Sequence, residues 1–367
     1  MRKLLLRILY VPQIILLGLF FVIRYIPSIS PGEYEIMGVL GLITPLLAII
    51  NIVFIFFWIL TKQYPMAAVA ALGIFISWNV LCVCFGFNFL KKNDLNKVNH
   101  EFTVMSYNVR LLDLYDWTGD KNNRKKMLSF IQKQSPDVLC LQEFYTKDGT
   151  GLDNINAIKK IGRYPYAETC ALKRHKNRQW GSVVFSRFPI VKNTNVIINE
   201  EDKNLIQETI IEKDSQKIRL YNVHLHSNKL SPKDIVWDKE GDVLQTAKGA
   251  LQNSKSVYTK LLRAYKQRGN EANLSAFVIE ENTSLPTIVC GDLNDLPSSY
   301  SYFNIRGKLK DAFLERGSGI GPTYNGKVSF LRIDYMFYSE KIRLKAFQKI
   351  KVPYSDHFPL IGKFQML

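Results

Sequence analysis

The first 97 residues consist largely of long apolar stretches, whereas the rest of the chain alternates short apolar runs with polar segments. Residues 36–60 and 66–90 are each 25 residues long and contain no charged side chain. Residues 4–26 form a less uniform apolar stretch, interrupted by Arg7 and Pro12. A bilayer core about 30 Å thick needs about 20 apolar residues in helical form. The pattern therefore predicts three transmembrane helices, at about 4–26, 36–60 and 66–90.

The charges that flank these stretches bear on their orientation in a membrane. Arg2, Lys3 and Arg7 favour a cytoplasmic N-terminus, and three crossings would then place the remainder of the chain outside the cytoplasm. The lysine-rich segment 91–97 favours the opposite orientation. We expect a multi-pass membrane protein with an extracytoplasmic, periplasmic-side C-terminal domain. A cleaved signal peptide is the alternative for the first stretch, although no small-residue cleavage site follows it.

From residue 98 the pattern becomes that of a globular α/β domain of 270 residues. The chain is thus expected to comprise a membrane anchor, 1–97, and a globular domain, 98–367. Residues 227–242 are polar and without periodicity, which is typical of a loop. Apolar runs predict strands and helical spacing predicts helices. The strands are 102–107, 138–141, 182–185, 218–223, 287–290, 333–337 and 342–345, and the helices are 122–133 and about 247–280.

The charge of the chain is strongly positive. It has 49 Lys and Arg against 32 Asp and Glu, a formal net charge of +17, and residues 98–367 contribute 41 against 29. Most of the excess therefore belongs to the C-terminal domain, where it favours polyanionic partners such as nucleic acid or an acidic lipid surface. The five cysteines show no spacing typical of a zinc site or a disulfide framework.

Several of the predicted strands end in polar side chains that a simple core does not require. Each of them alone could be a turn or surface residue. In open α/β sheets, however, ligands bind beyond the strand ends, so the recurrence of such residues indicates a site. The set comprises Asn108, Glu143, His224, Asp292, Asn294, Asp334, Asp356 and His357.

The chemical types in this set are mutually consistent. Carboxylates and asparagines without cysteine suit Mg²⁺ or Mn²⁺ rather than zinc. Phosphoryl transfer requires a metal, an aligned nucleophile and donors for the charge on the phosphate oxygens. Strand alternation is expected to direct Asp292 and Asn294 to the same side, and Gly291 is expected to permit close packing just before them.

The motifs that contain these residues resemble, in order, those of the endonuclease/exonuclease/phosphatase superfamily. Its members include deoxyribonuclease I, abasic-site endonucleases, inositol-polyphosphate 5-phosphatases and bacterial neutral sphingomyelinases. The resemblance implies a four-layer α/β sandwich, in which two packed mixed β-sheets are flanked by helices, and divalent-metal-dependent hydrolysis of phosphate esters. The motifs are SYNVR, LQE, GSVVFSRFPI, NVHLHS, GDLND, RIDYMF and SDHFPL, spread over residues 101–367.

The resemblance also implies where the metal and the phosphate bind. Glu143 matches the principal metal ligand, with Asn108 and Asp356 as further members of the metal site. Asn108 and Asn294 match side chains that hold the substrate phosphate. His224 matches the histidine that contacts the scissile phosphate.

The remaining catalytic residues match those that act on the attacking water and the transition state. Asp292 resembles the aspartate that aligns or deprotonates the water. Asp334 resembles the carboxylate that supports the histidines or a second metal position. Asp356 is expected to orient His357, which would stabilise the charge of the transition state.

Three classes of function follow from these observations. The first is a membrane-anchored, metal-dependent phosphodiesterase that acts on nucleic acid, most like an endonuclease. The second is a phospholipid or sphingomyelin head-group phosphodiesterase, or a phosphatase, favoured by the membrane anchor. The third is an inactive membrane-bound binding module, which the complete set of acids and histidines argues against.

Overall fold

The computed structural model describes residues 2–91, 93–96, 100–199, 204–228, 243–281, 284–326 and 330–367. The chain divides into two compact units. The first comprises residues 1–84, 226–272 and 296–304, and the second comprises 85–225, 273–295 and 305–367. The domain boundary predicted at 97/98 lies outside the described residues, as does most of the predicted loop at 227–242.

The helices and strands follow the sequence pattern closely where that pattern was strong. The helices are α1 (Arg2–Ile23), α2 (Ile36–Leu60), α3 (Tyr64–Ile76), α4 (Trp78–Leu81), α5 (Asn123–Gln134), α6 (Asn154–Gly162), α7 (Val243–Glu280), α8 (Tyr300–Arg306) and α9 (Ala312–Arg316). The strands are β1 (Gly86–Phe87), β2 (Glu101–Asn108), β3 (Val138–Lys147), β4 (Tyr166–His175), β5 (Arg178–Ser186), β6 (Ile190–Asn199), β7 (Asn204–Lys213), β8 (Gln216–His224), β9 (Thr287–Asp292), β10 (Lys310–Asp311), β11 (Ser318–Gly319), β12 (Asp334–Tyr338), β13 (Ile342–Lys349) and β14 (Leu360–Met366).

Two stretches of the first unit are long and apolar enough to cross a membrane, Arg7–Ser28 and Ile36–Leu60. The third span predicted at 66–90 is wrong. Helix α3 ends at Ile76, where the Ser77 hydroxyl donates to the carbonyl of Gly73, and the short α4 follows. Residues 86–87 then pair as a strand with β11. Hydropathy reports how apolar a stretch is and does not report where its backbone changes from helix to strand.

The helices of the first unit pack through small residues and paired polar side chains. A Cβ on Gly38 of α2 would lie 2.2 Å from the ring of Tyr265 on α7, so this contact needs glycine. The amide of Gln13 donates to Asn51 and its oxygen accepts from the indole of Trp58, which satisfies these buried groups.

The second unit contains two six-stranded mixed sheets and a two-stranded ribbon of β1 and β11. The first sheet has the order β10-β12-β9-β8-β7-β6 and the second β13-β14-β2-β3-β5-β4. Side chains from both sheets share one apolar cluster, which includes Val104, Cys140, Leu220 and Cys290. The two sheets are therefore packed face to face, and the predicted two-sheet α/β sandwich is confirmed. Helices α5 and α6 cover the outer face of the second sheet through a second apolar cluster.

Each sheet contains one parallel pair of strands near its centre. Strands β2 and β3 are parallel in the second sheet, and β8 and β9 are parallel in the first. The carboxyl ends of these strands carry Asn108, Glu143, His224 and Asp292. Antiparallel β12 begins at Asp334, which lies directly opposite Asp292 in the ladder. The topology thus brings polar residues that are distant in sequence to one edge of the sandwich.

Gly291 is required where β8 and β9 approach each other. Its φ is 143°, and a Cβ at this position would lie 1.9 Å from the carbonyl oxygen of Val223. We expect Gly291→Ala to lower the free energy of unfolding by roughly 3 kcal/mol and to reduce activity, because it displaces the neighbouring Asp292. Chemical denaturation and steady-state kinetics measure the two effects.

Gly149→Ala is the matched control. Gly149 has a φ of 69°, but a Cβ there meets nothing within 4 Å. This variant should lose only about 1 kcal/mol and keep its activity. Equal losses in the two variants would show that the close approach to Val223 is unimportant.

Candidate active site

The side chain of Asn108 links the two sheets at the edge where the strands end. Its Nδ2 donates to Glu143 Oε1 at 3.2 Å, within its own sheet, and to Asp292 Oδ2 at 3.0 Å, across the interface. Its Oδ1 accepts from the backbone N–H of Arg110, and its carbonyl accepts from the hydroxyl of Ser355. Asn108 is buried, and every polar group it carries is used. It therefore fixes the position of both carboxylates.

Glu143 reaches the site because β3 contains a β-bulge. Leu141 pairs with Val183 and Phe144 with Gly181, so two residues of β3 stand opposite one residue of β5. Glu143 itself has a φ of 47°, in the left-handed region. The bulge re-aims its carboxylate, which approaches Asn108 and stays 34% exposed. In a regular strand Glu143 would point to the face opposite that of Gln142, which contacts the other sheet through Asn222.

Gln142 and Asn222 form a buried polar connection beneath the site that the sequence pattern did not single out as functional. Gln142 Nε2 donates to Asn222 Oδ1 at 2.7 Å, from one sheet to the other, and Asn222 Nδ2 donates to the carbonyl of Leu141. The placement of these two amides in apolar strands could have indicated this connection, because buried amides need hydrogen-bond partners.

His357 is held between two carboxylates. Its Nδ1 donates to Asp334, with distances of 2.9 and 3.1 Å to the two oxygens, and its Nε2 lies 3.6 Å from Asp292 Oδ2. Burial alone would lower the pKa of His357, but the charges of Asp334 and Asp292 and the hydrogen bond to Asp334 raise it to about 10. The ring is therefore an imidazolium at neutral pH. Burial raises the pKa of Asp292, and the neighbouring histidines oppose this only in part.

His224 is directly beside Asp292 in the parallel ladder of β8 and β9. Its Nε2 lies 3.6 Å from Glu143 Oε1 and 3.9 Å from Asp292 Oδ2, which are both too long for hydrogen bonds. This nitrogen is buried and has no hydrogen-bond partner among the described residues. A buried ring nitrogen without a partner is costly, so it points to a group that the chain itself does not supply.

Asn294 is positioned by a turn, whereas strand alternation was expected to place it. Strand β9 ends at Asp292, and Asn294 has a φ of 51°. Its backbone N–H donates to Asp292 Oδ1 at 2.8 Å, and its side-chain amide donates to the carbonyl of Leu225 at 2.9 Å. Asn294 therefore lies at the site and stabilises the conformation of Asp292 directly.

The carboxylate that orients His357 is that of Asp334, and not that of Asp356 as expected. Asp356 Oδ2 lies 3.3 Å from Nε of Arg110, and its other oxygen accepts from the Ser355 hydroxyl. Residues 355 and 356 form a bend just before the isolated bridge of His357 with Tyr324, and Asp356 is engaged with Arg110. Tyr324 contacts His357 instead, with ring centroids 5.3 Å apart. Arg110 ends the motif SYNVR but was not singled out from the sequence, and neither was Tyr324.

Two groups of residues near one another could hold a divalent cation. Ligand atoms of Asp292, Asp334 and His357 lie within 4.8 Å of one another. Nδ1 of His357 is already bonded to Asp334, however, and all three residues are buried, which leaves little room for the waters that Mg²⁺ keeps. Glu143 and the amide oxygen of Asn108 are the better fit, because Mg²⁺ takes one or two carboxylates and keeps several waters. The partly exposed carboxylate of Glu143 leaves room for those waters.

The family of the chain is shown by sequence comparison. The profile of the Endonuclease/Exonuclease/phosphatase family matches residues 105–357, so the chain belongs to this family. It is a hydrolase of phosphoric esters. A second profile, a domain of unknown function (DUF8431), matches residues 6–84. No curated protein matches the chain significantly.

Solved structures show the same fold. The endonuclease/exonuclease/phosphatase from Beutenbergia cavernae DSM 12333 superposes with a TM-score of 0.52 at 16% identity, over 73% of this chain and 72% of that one. The catalytic domain of human Nocturnin with bound sulfate gives 0.51 at 18% identity, over 75% and 98%. ANGEL2, a 2′,3′-cyclic phosphatase in complex with adenosine-2′,3′-vanadate, gives 0.51 at 18% identity, over 76% and 99%.

Proposed function

We propose that this protein is a divalent-metal-dependent phosphodiesterase that acts on nucleic acid. The observation that carries the proposal is the His357 imidazolium, held by Asp334 beside Asp292 and near the partnerless Nε2 of His224. Two ring nitrogens that converge next to a buried carboxylate suit a phosphate with an attacking water beside it. Each group then has one task.

Asp292 orients the attacking water and accepts its proton. Its Oδ2 already receives Asn108 Nδ2, and its Oδ1 receives the backbone of Asn294, so its orientation is fixed before substrate binds. His357 donates its Nε2 proton to a phosphate oxygen, since the 3.6 Å separation from Asp292 is too long to commit that proton. His224 donates to another phosphate oxygen. Asn294, whose amide is bonded to Leu225, acts through Asp292.

Glu143 and Asn108 would hold the metal. When bound, a divalent cation stabilises the developing charge on the phosphate and lowers the pKa of bound water. Asp356 supports this group indirectly, because it pairs with Arg110, whose backbone N–H donates to Asn108.

Nucleic acid is favoured as the substrate by charge. The second unit lies within residues 85–367, where most of the basic excess of the chain resides. Neutralisation of phosphates by Lys and Arg supplies most non-specific affinity for nucleic acid. The structure of ANGEL2 contains adenosine-2′,3′-vanadate, a nucleotide analogue, which agrees with this choice. The two apolar stretches Arg7–Ser28 and Ile36–Leu60 support attachment to a membrane. Two crossings return the chain to the side of its N-terminus, so they do not support the extracytoplasmic placement expected from three.

Cleavage of nucleic acid by the full-length chain, purified in a mild detergent, tests the proposal. We expect nicking of plasmid and cleavage of single-stranded oligonucleotide in Mg²⁺, both abolished by EDTA. Activity should also be lost in His357→Gln purified in the same way, which excludes a contaminating nuclease. Absence of EDTA-sensitive cleavage over a wide range of protein concentration would contradict the proposal.

A lipid phosphodiester is the second candidate substrate, because the two apolar stretches would keep a site near a lipid surface. Release of head groups from phospholipid in mixed micelles measures this activity. Head-group release together with intact nucleic acid would replace the first candidate by the second.

A further inference from the structure

The chain leaves the site through a segment with unusual backbone geometry. Arg110, Leu111, Leu112 and Asp113 have φ values of 43°, 55°, 52° and 59°. Residues with side chains rarely adopt this left-handed conformation, and a run of them costs energy at every position. Such a conformation persists only where the surroundings hold it, and it is often found where a binding surface must be shaped.

Hydrogen bonds hold this segment against the body of the second unit. Asp113 Oδ2 accepts from Asn123 Nδ2 at 2.9 Å, and the same amide donates to the carbonyl of Tyr354 at 2.8 Å. The backbone N–H of Thr118 also donates to Asp113, at 3.3 Å. The segment is thus fixed both to the start of α5 and to the residues that precede Asp356.

The side chains presented by this segment are Tyr115 and Trp117, which we call the aromatic pair. They are 61% and 43% exposed, and their ring centroids are 5.2 Å apart in an edge-to-face arrangement. The guanidinium of Arg110 lies 4.5 Å above the indole of Trp117, and its Nε lies 3.3 Å from Asp356. One guanidinium group therefore separates the exposed indole from a carboxylate of the site.

A basic groove lies next to the same anchoring residues. It has a volume of about 770 Å³ and is lined on the α5 side by Lys125, Lys126 and Lys133, and on the other side by residues that include Tyr354. Tyr354 is also the residue to which Asn123 fixes the strained segment. The segment that precedes the aromatic pair is thus anchored, through Asn123, to a residue that lines the groove.

We propose that the aromatic pair is a stacking subsite for a nucleobase next to the scissile phosphate of a single-stranded nucleic acid, whose phosphates follow the α5 groove. This rests on the proposed function and specifies its substrate as unpaired strand. Stacking accepts any base, because every base has an aromatic face, and unpaired strands expose those faces. A lipid chain would need a continuous apolar surface, whereas Asp116 and Thr118 flank Trp117 in sequence and Arg110 lies over its ring.

The test compares a short single-stranded oligonucleotide with the same strand in which the sugars flanking the cleaved phosphate carry no base. The full-length chain is assayed in detergent as wild type, Trp117→Ala, Trp117→Phe and Tyr115→Ala. Tyr166→Ala is the matched control. Tyr166 is 38% exposed and pairs with Ser186, the last residue of β5. The β5 residues on either side of the bulge at Glu143 are Gly181 and Val183, so Tyr166 lies beside a more distant part of this strand.

We expect Trp117→Ala to raise KM for the base-containing strand roughly tenfold with kcat little changed, and to leave KM for the strand without bases unaltered. Trp117→Phe should recover most of the loss, and Tyr166→Ala should behave as wild type. An equal change for both strands would overturn the inference. So would a change seen only with lipid phosphodiester in mixed micelles, which would assign the aromatic pair to a lipid surface.

Binding measured without metal separates this inference from the proposed function. The anisotropy of the labelled strand reports binding even if nothing is cleaved. Tighter binding of the base-containing strand that Trp117→Ala abolishes would support the subsite although hydrolysis failed. Cleavage that Trp117→Ala and Tyr115→Ala both leave unchanged, or wild type that binds neither strand, would overturn the subsite.

Discussion

Replacing Asp292 by Asn should lower kcat roughly a thousandfold with little change in KM, since a positioned general base contributes about 10²- to 10⁴-fold. Asn keeps the shape of the side chain and can still accept from the backbone of Asn294. It cannot accept a proton from water, and its NH₂ would face the donor Nδ2 of Asn108. Steady-state kinetics on a single-stranded oligonucleotide measure the effect.

The loss of one buried hydrogen bond also costs stability, about 1 kcal/mol, so a control for stability is needed. Asp137→Asn provides it. Asp137 is a buried carboxylate just before β3, at the opposite end of that strand from the site, and accepts from the backbone N–H of Thr103. It should melt earlier than wild type and retain kcat. If Asp292→Asn kept kcat within tenfold of wild type, Asp292 would not be the base.

Replacing His357 by Gln should lower kcat/KM by about 10²- to 10³-fold, the usual effect of removing one preorganised donor to a transition state. The pKa of His357 is raised to about 10, so wild type should keep its activity through the neutral range and lose it as pH rises through about 10. His357→Gln should lack this alkaline decline. A pH profile of kcat/KM for both proteins measures the difference.

Removing the imidazolium also leaves Asp334 and Asp292 close together without a cation between them. Because the pKa of His357 is higher in the folded chain than its ordinary 6.5, its contribution to stability is complete below about pH 6.5 and disappears as pH rises through about 10. His357→Gln should therefore melt early at neutral pH. The double variant Asp334→Asn/His357→Gln should regain part of this stability and none of the activity. Recovery of activity would contradict the role of His357.

The strands and the identity of the site residues were largely predictable, because apolar runs that end in acids and amides are strong local signals. Strands β2, β3, β8 and β9 include the runs predicted for them, and β12 includes all but the first residue of its run. Strands β4 and β6 escaped prediction because they are edge strands with one face in solvent. Polar residues interrupt the alternation of apolar and polar positions in these two strands. They are recognised as strands only by their hydrogen bonds to neighbouring strands.

The orientation of individual side chains was not predictable from period-two alternation. Alternation holds only within a regular strand, and Glu143 and Asn294 both have left-handed φ values, at a bulge and in a turn. Asp334 was expected to support the histidines and is bonded to His357. Asp356 was also expected to orient His357, but its carboxylate lies against Arg110. The third predicted span failed because hydropathy does not report where a helix stops.

The contact between Cys140 and Cys290 links the spacing of the two sheets to the geometry of the catalytic site. The Cys140 thiol hydrogen-bonds to that of Cys290, and this contact with burial raises its pKa well above the ordinary value. Each cysteine stands two residues before a polar residue of the interface, Gln142 or Asp292. Their small volume sets the gap that the amide of Asn108 spans to reach Asp292. A bulkier pair of side chains would increase the distance between the two sheets. These two buried thiols therefore help to set the distance between Asn108 and Asp292.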